Sequence, residues 1–221
     1  MRDKAVIAID GPAGAGKSTI AKKVAEAVGY AYIDTGAMYR AITLRILQTS
    51  TDCRDHGAVG ALLDAVSIDF SPEGKIFLDG ENVSDTLRTA EVNALVSQVA
   101  SLLAVRERLQ GLQREIGKNG GVVLDGRDIG SAVFPDAEYK FYLDASLEER
   151  ARRRLADSKE SVFGSFEELI EDIARRDTED KGREHSPLVQ AADAIYIDTS
   201  GMDPERVLQT MLGYVDHHSI R

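Results

Sequence analysis

Residues 5–18 read A-V-I-A-I-D-G-P-A-G-A-G-K-S, an apolar strand, a glycine-rich turn, then Lys17 and Ser18 opening a helix. The pattern G-x-x-x-x-G-K-[ST] between a strand and a helix is a phosphate loop. It constrains the fold strongly, because the loop needs a buried strand behind it and a helix N-terminus in front. Gly11, Gly14 and Gly16 allow positive φ and let the backbone approach a ligand with no Cβ in the way. The stretch Gly11, Pro12, Ala13, Gly14, Ala15, Gly16, Lys17, Ser18 and Thr19 then forms a nest whose N–H groups face phosphate oxygens, backed by the helix dipole. Lys17 adds a mobile point charge for β- and γ-phosphates, and the Ser18 hydroxyl is a candidate Mg2+ ligand. An ordinary glycine-rich connection leaves a lysine beside that nest unexplained.

The rest of the composition narrows the partners. With 221 residues and a net charge of −10, the chain fits one α/β domain with insertions and is a poor match for a nucleic-acid polymer or an anionic membrane. No apolar run is long enough to span a bilayer, and the N-terminus enters a strand directly, so the expectation is a cytoplasmic monomer acting on small molecules. Cys53 is the only cysteine, which rules out a disulfide framework. His56 follows it at C-x-x-H spacing, but two ligands do not make a zinc site. His217 and His218 belong to a polar tail.

Strands are expected at Ala5–Asp10, Ala31–Asp34, Gly121–Asp125, Glu138–Asp144 and Ala194–Asp198, with helices at 17–28, 87–117, 146–157, 165–177 and 203–215. Such alternation predicts a parallel sheet covered on both faces. Each strand ends in aspartate. Asp10, Asp144 and Asp198 read as turn formers and caps, whereas Asp125 is the candidate to hold Mg2+ through water. Two stretches fall outside the sheet. Residues 66–83 alternate around S-P-E-G as a β-hairpin inside an excursion of about 80 residues, too long for a plain connection and suited to gripping a second substrate. Residues 158–187 are polar, glycine-containing and flank an arginine-bearing helix, as a lid would.

Three further clusters carry charge suited to phosphate. D-G-R-D at 125–128 puts Arg127 and Asp128 at the ligand edge of the sheet, as a phosphoryl clamp or as a structural ion pair. D-T-G-A-M-Y-R at 34–40 opens a helix with Thr35 at its cap position and Arg40 about one turn on. Capping plus a surface arginine is the plainer alternative there. R-R-D-T-E-D-K-G-R at 175–183 sets Arg176, Asp180 and Arg183 on one face if helical, against the usual solvated charge run. After the fourth strand, Arg150 and Arg154 share a face at i, i+4 and could grip a nucleotide.

Together these stretches resemble the nucleoside monophosphate kinases, and within them the bacterial cytidylate kinase family. The matching segments are 11–19, 34–40, S-Q-V-A at 97–100, V-R-E at 105–107, D-G-R-D-I-G at 125–130, V-F-P-D-A at 133–137, E-E-R-A at 148–151, R-R-D at 175–177 with Asp180 and Arg183, and P-L-V-Q-A-A-D-A at 187–194. The resemblance implies a phosphate-loop NTPase fold of α/β class: a five-stranded parallel sheet flanked by helices in one domain, 1–221, with an inserted monophosphate-binding lobe over 36–105 and a mobile lid over 152–187. It implies transfer of a phosphoryl group from ATP to CMP or dCMP. Residues 11–19 with Arg150 and Arg154 would bind ATP. Thr35, Arg40, Arg127 and Arg183 would surround the acceptor phosphate. Ser97, Arg106 and Asp128 would read cytosine, and Arg176 and Asp180 would meet the ribose. Lys17, Arg127 and Arg183 would be catalytic, with Ser18 and Asp125 holding Mg2+.

Two other readings stay open on the residues. A small-molecule kinase of the shikimate or gluconate type shares the loop and the lid, but its alcohol acceptor needs no large lobe. A GTP-dependent switch needs an N-K-x-D motif, and Asn82, Asn93 and Asn119 are each followed by the wrong residue.

Overall fold

A computed structural model describes residues 4–71, 74–156 and 165–215. Pro72 and Glu73 of the expected hairpin tip, residues 157–164 of the expected lid, and His217 and His218 lie outside the described residues. The chain divides into two compact units, Met1–Ile33 with Ile116–Arg221, and Asp34–Glu115.

The first unit is built on five strands: β1 (Val6–Asp10), β2 (Ala31–Asp34), β6 (Val122–Gly126), β7 (Tyr139–Asp144) and β8 (Ile195–Asp198), in the order β2-β6-β1-β7-β8. β1 is central and pairs in parallel with β6 and β7, and β7 pairs in parallel with β8. The central strands V-I-A-I-D and V-V-L-D-G are buried at every position, the near-continuous apolar run that a sheet covered on both faces requires. Edge strand β8 instead alternates, with Tyr196 exposed. Helices α1 (Lys17–Val28) and α8 (Pro204–Val215) pack together, and Ile20, Val24, Val207 and Met211 bury against Ile7, Ile9, Phe141 and Leu143. A smaller cluster of Ala151, Leu169 and Ile173 joins α6 (Leu147–Ala156) to α7 (Phe166–Lys181).

Two local features position the loop. Gly11 leaves β1 at φ 145°, where an added Cβ would stand 1.9 Å from the Leu143 carbonyl oxygen, so no side chain fits. Register aligns Asp10 with Gly126 and Tyr142, which brings the carboxyl ends of the three central strands level. After β6, a single π-helical turn spans Ile129–Val133. Asp144 and Asp198 serve their own turns, as expected, by accepting from Ala145 N at 2.8 Å and Ser200 N at 2.9 Å. Asp10 differs from expectation. It caps no turn of its own but accepts from Ile129 N and Gly130 N, at 2.8 and 2.7 Å, across 119 and 120 residues.

The second unit contains helices α2 (Thr35–Thr49), α3 (His56–Ala65) and α4 (Ala90–Ser101), most of α5 (Leu103–Gly117), and a three-stranded antiparallel sheet of β3 (Ile68–Phe70), β4 (Ile76–Leu78) and β5 (Glu81–Asn82). The expected hairpin is therefore a meander. Asp79 and Gly80, at φ 51° and 81°, form the positive-φ pair of a type I′ turn and add β5. The expected helix over 87–117 is two helices. Leu102 takes φ −68°, ψ 123°, which breaks α4 from α5. The cap of α2 is Asp34, whose side chain accepts from Ala37 N at 2.9 Å, so Thr35 is the first helical residue and not the cap.

Gly11→Ala should abolish the fold or cost it more than about 3 kcal/mol, because a backbone carbonyl blocks the new methyl. Gly201→Ala, at φ 67° with nothing within 4 Å of the added Cβ, should cost only about 1 kcal/mol. Urea denaturation of the two variants beside the parent measures the difference.

Candidate active site

The loop between β1 and α1 carries the positive φ values anticipated for it, 145° at Gly11, 79° at Gly14 and 85° at Gly16. Its carbonyl oxygens are held from behind. Lys17 Nζ donates to Pro12 O at 2.6 Å, Arg150 Nη1 to Ala13 O at 3.0 Å, and Arg153 Nη1 to Ala15 O at 3.3 Å. Arg150 is buried, donates also to Ala145 O, and pairs with Asp177 of α7 at 2.6 Å. Arg153 binds Thr199 as well, through Nη1 to Oγ1 at 2.9 Å and Nη2 to O at 2.6 Å. Arg150 and Arg153, at i, i+3, are thus the residues of α6 that brace the loop, a contact separate from the nucleotide grip expected of Arg150 and Arg154. Arg154 stands half-buried on the same helix.

Beside the loop, Asp125 is buried near the end of β6 with both carboxylate oxygens engaged. Ser18 Oγ donates to Oδ2 at 2.7 Å and Tyr32 OH to Oδ1 at 2.8 Å. Serine hydroxyl and carboxylate are hard oxygen donors of the kind Mg2+ takes. Among the described residues no group of three or more His, Cys, Asp or Glu could hold a metal, so the remaining ligands would have to be phosphate oxygens and water. The expected Ser18–Asp125 pair fits that demand.

Arg127 Nε donates to Asp180 Oδ2 at 2.7 Å, and Arg183 Nη2 reaches Asp180 Oδ1. One carboxylate therefore spans two guanidinium groups. Helix α7 ends at Lys181, so Arg183 lies beyond it and does not extend a helical face, yet it still meets Asp180. Arg176 is buried on α7 and pairs with Asp172 at 3.0 Å. Asp128 is buried at the start of the π-helical turn.

Charges in this unit perturb one another strongly. Burial, reinforced by Arg127, pulls the Lys17 ammonium down to about 7, against Asp125, Asp10 and Asp180. Burial pushes the Asp10 carboxyl up to about 7, opposed by its two backbone hydrogen bonds. Burial works against a charged Arg127 and a charged Asp180, and their mutual attraction overcomes it. Arg127 is raised, with Asp125 and Asp177 helping, and Asp180 is lowered, with Arg183 helping.

The remaining expected residues belong to the second unit. Thr35 is buried and Arg40 half-buried on α2, and Ser97 is half-buried on α4. Arg106 is fully buried, with Nη1 donating to Ala100 O at 3.0 Å where α4 ends, and its guanidinium lies 5.6 Å from the Tyr39 ring centre. Tyr32, Arg153 and Asp177 were not anticipated. Tyr32 shares a strand face with Asp34, Arg153 is three residues from Arg150, and Asp177 closes the R-R-D triplet, so their signals were present as spacing only.

Comparison with known proteins matches residues 7–217 to the family described as Cytidylate kinase. Cytidylate kinase of Lysinibacillus sphaericus is 50% identical over 216 residues, covering 96% of each chain. That of Bacillus pumilus is 50% identical over 220 residues, covering 98% of each, and that of Clostridioides difficile is 48% identical, covering 96% of this chain and 98% of its own. Among solved structures, shikimate kinase from Bacteroides thetaiotaomicron superposes with a TM-score of 0.54 at 15% identity, covering 96% of this chain and 98% of that one. Shikimate kinase from Acinetobacter baumannii in complex with shikimate does so at 0.52 and 16%, covering 100% and 97%. The structural likeness shows a phosphate-loop kinase fold alone, while the family match and near-half identity along the whole length go further: the chain belongs to the cytidylate kinase family of enzymes.

Proposed function

We propose that the protein transfers the γ-phosphoryl group of ATP to CMP or dCMP, yielding ADP and CDP or dCDP. The observation that carries this is a phosphate loop bearing Lys17 and Ser18 beside a carboxylate, Asp180, that binds Arg127 and Arg183 together. A donor site and two guanidinium forks for a second anion are what phosphoryl transfer between nucleotides needs.

The acceptor oxygen belongs to a phosphate that is largely dianionic at neutral pH, so no general base is required. It forms a bond to the γ-phosphorus as the bond to the β-bridging oxygen breaks and ADP leaves. Loop amides and Lys17 receive the donor's phosphates, and Arg127 and Arg183 neutralise the transferring group and the acceptor. Ser18, and Asp125 through water, would hold Mg2+, whose charge when bound offsets that of the phosphate oxygens. Arg150 acts through the loop it braces. Thr35 and Arg40 are proposed for the acceptor phosphate, Arg176 and Asp180 for the ribose, and Ser97, Arg106 and Asp128 for cytosine. A carboxylate and a guanidinium suit cytosine's amino group and its N3 and O2 acceptors, and a uracil oxygen facing Asp128 would be repelled. The monomer, the cytoplasm and Mg2+ dependence belong to this same reading.

An ADP-release assay with CMP, UMP, AMP and shikimate as alternative acceptors tests it. CMP should be preferred, and preference for shikimate would overturn the proposal. Lys17→Ala should lower kcat about 100-fold or more while the variant still unfolds cooperatively. Asp128→Ala should reduce the preference for CMP over UMP by at least about tenfold with little change in Tm.

Lys17 also sets a proton signature. At pH 7.5 an ammonium with a pKa of about 7 is mostly neutral in the free protein. A bound triphosphate favours its charged form, so binding should take up half a proton or more, as a rough magnitude. Calorimetry of magnesium-ATP binding in buffers of different ionisation enthalpy reads this number. Lys17→Met should remove it, and an unchanged number would show that another group titrates.

A further inference from the structure

The residue before the phosphate loop does not serve the loop. Asp10 is buried at the end of β1, and its two carboxylate oxygens accept from Ile129 N at 2.8 Å and Gly130 N at 2.7 Å. Those N–H groups open the π-helical turn Ile129–Val133, where the first amides of a helical turn have no partner of their own. The carbonyl of Asp128 is fixed from the other side, accepting from Ala132 N at 2.9 Å and Val133 N at 3.1 Å. Both polar groups of the peptide joining Asp128 to Ile129 are therefore bonded, the carbonyl within its own turn and the N–H to Asp10. The fit is tight. An added Cβ on Gly130 would lie 3.4 Å from Asp10 Oδ2 and 3.2 Å from the Lys140 side chain.

A peptide plane clamped at both ends fixes where the side chain on it starts. Asp128 has that place, one residue after Arg127. A carboxylate buried at this cost of solvation, accepting two distant amides, does more than terminate a strand.

We propose that Asp10 is a positioning residue for acceptor choice: by holding the N–H groups of Ile129 and Gly130 it orients Asp128, and so sets the discrimination between cytosine and uracil monophosphates. The inference rests on the reading of Asp128 as a base-reading residue in a CMP kinase. It also means that the donor loop and the acceptor-reading turn share one anchor, since Asp10 directly precedes Gly11.

The test is steady-state kinetics of the full chain with CMP and UMP. Asp10→Asn keeps the size and one acceptor oxygen but turns an amide N–H group toward a backbone N–H. It should lower kcat/KM for CMP about 10-fold or more and cut the CMP-to-UMP preference at least fivefold, while KM for ATP changes less than about threefold. In an Asp128→Ala background the same substitution should alter the preference less than twofold, because its effect passes through Asp128. Gly130→Ala, which crowds the same contact from the turn side, should erode the preference in the same direction, and supplies the measurement if Asp10→Asn does not fold. Equal loss toward both nucleotides, or preference changes that multiply in the double variant, would overturn the inference. A parent enzyme that forms no CDP would overturn the CMP kinase reading itself and the inference with it. An active parent whose Asp10→Asn and Gly130→Ala variants keep their preference overturns only the latter.

Discussion

A loop that binds phosphate through its N–H groups must leave them unbonded, and that requirement governs much of the first unit. Unbonded amides cannot hold the loop in shape, so its carbonyls have to. Arg150 and Arg153 hold Ala13 O and Ala15 O, and Lys17 holds Pro12 O. The braces are themselves anchored, Arg150 by Asp177 and Ala145 O, Arg153 by Thr199. Gly11 contributes by exclusion, since Leu143 O occupies the space of any side chain. Bracing through carbonyls lets a loop of this kind keep its amides for an anion, and such preorganisation is where electrostatic catalysis gains most.

The same logic orders the charges. Lys17 and Arg127 are brought close enough to repel, and the fold sustains this with Asp180 and Asp125 placed beside them. Asp180 offers each arginine one oxygen, so both guanidinium forks are held by the same carboxylate. Burial, reinforced by Arg127, lowers the Lys17 pKa, and an incoming triphosphate would favour the charged form again. Burial is expensive for every one of these ions alone. It is sustained because Asp180 and Asp125 lie among them in one network.

Much of this was legible in the sequence, and what was not has a physical cause. The sheet followed from apolar runs ending in aspartate, and the loop from its glycines. The hairpin formed as β3 and β4, while the added strand β5 went unread because Asp79–Gly80, a positive-φ pair, lies within a short alternating run. The break at Leu102 carries no glycine or proline, so periodicity ran through it from 87 to 117. Asp34 displaced Thr35 as cap because both residue types can cap and only backbone geometry chooses. Arg153 went unread because three consecutive arginines, 152–154, fit several helical spacings, and only the docked helix selects the i, i+3 face. Asp10 could not be read at all, since its partners are 119 and 120 residues away.

Fold and specificity separate cleanly here. Shikimate kinases share this fold at 15–16% identity, too low to carry chemistry across, so the architecture leaves the acceptor open. What differs is charge. An alcohol acceptor brings no anion and benefits from a base, whereas a monophosphate brings a dianion that must be neutralised against a second one. Arg127 and Arg183, joined through Asp180, are proposed to answer the second need and not the first. In the proposed reaction Asp128 adds what two arginines cannot supply, a fixed acceptor for an amino hydrogen. Its backbone is clamped on both sides, which is the rigidity a discriminating contact needs, because a carboxylate free to swing would meet cytosine and uracil on nearly equal terms.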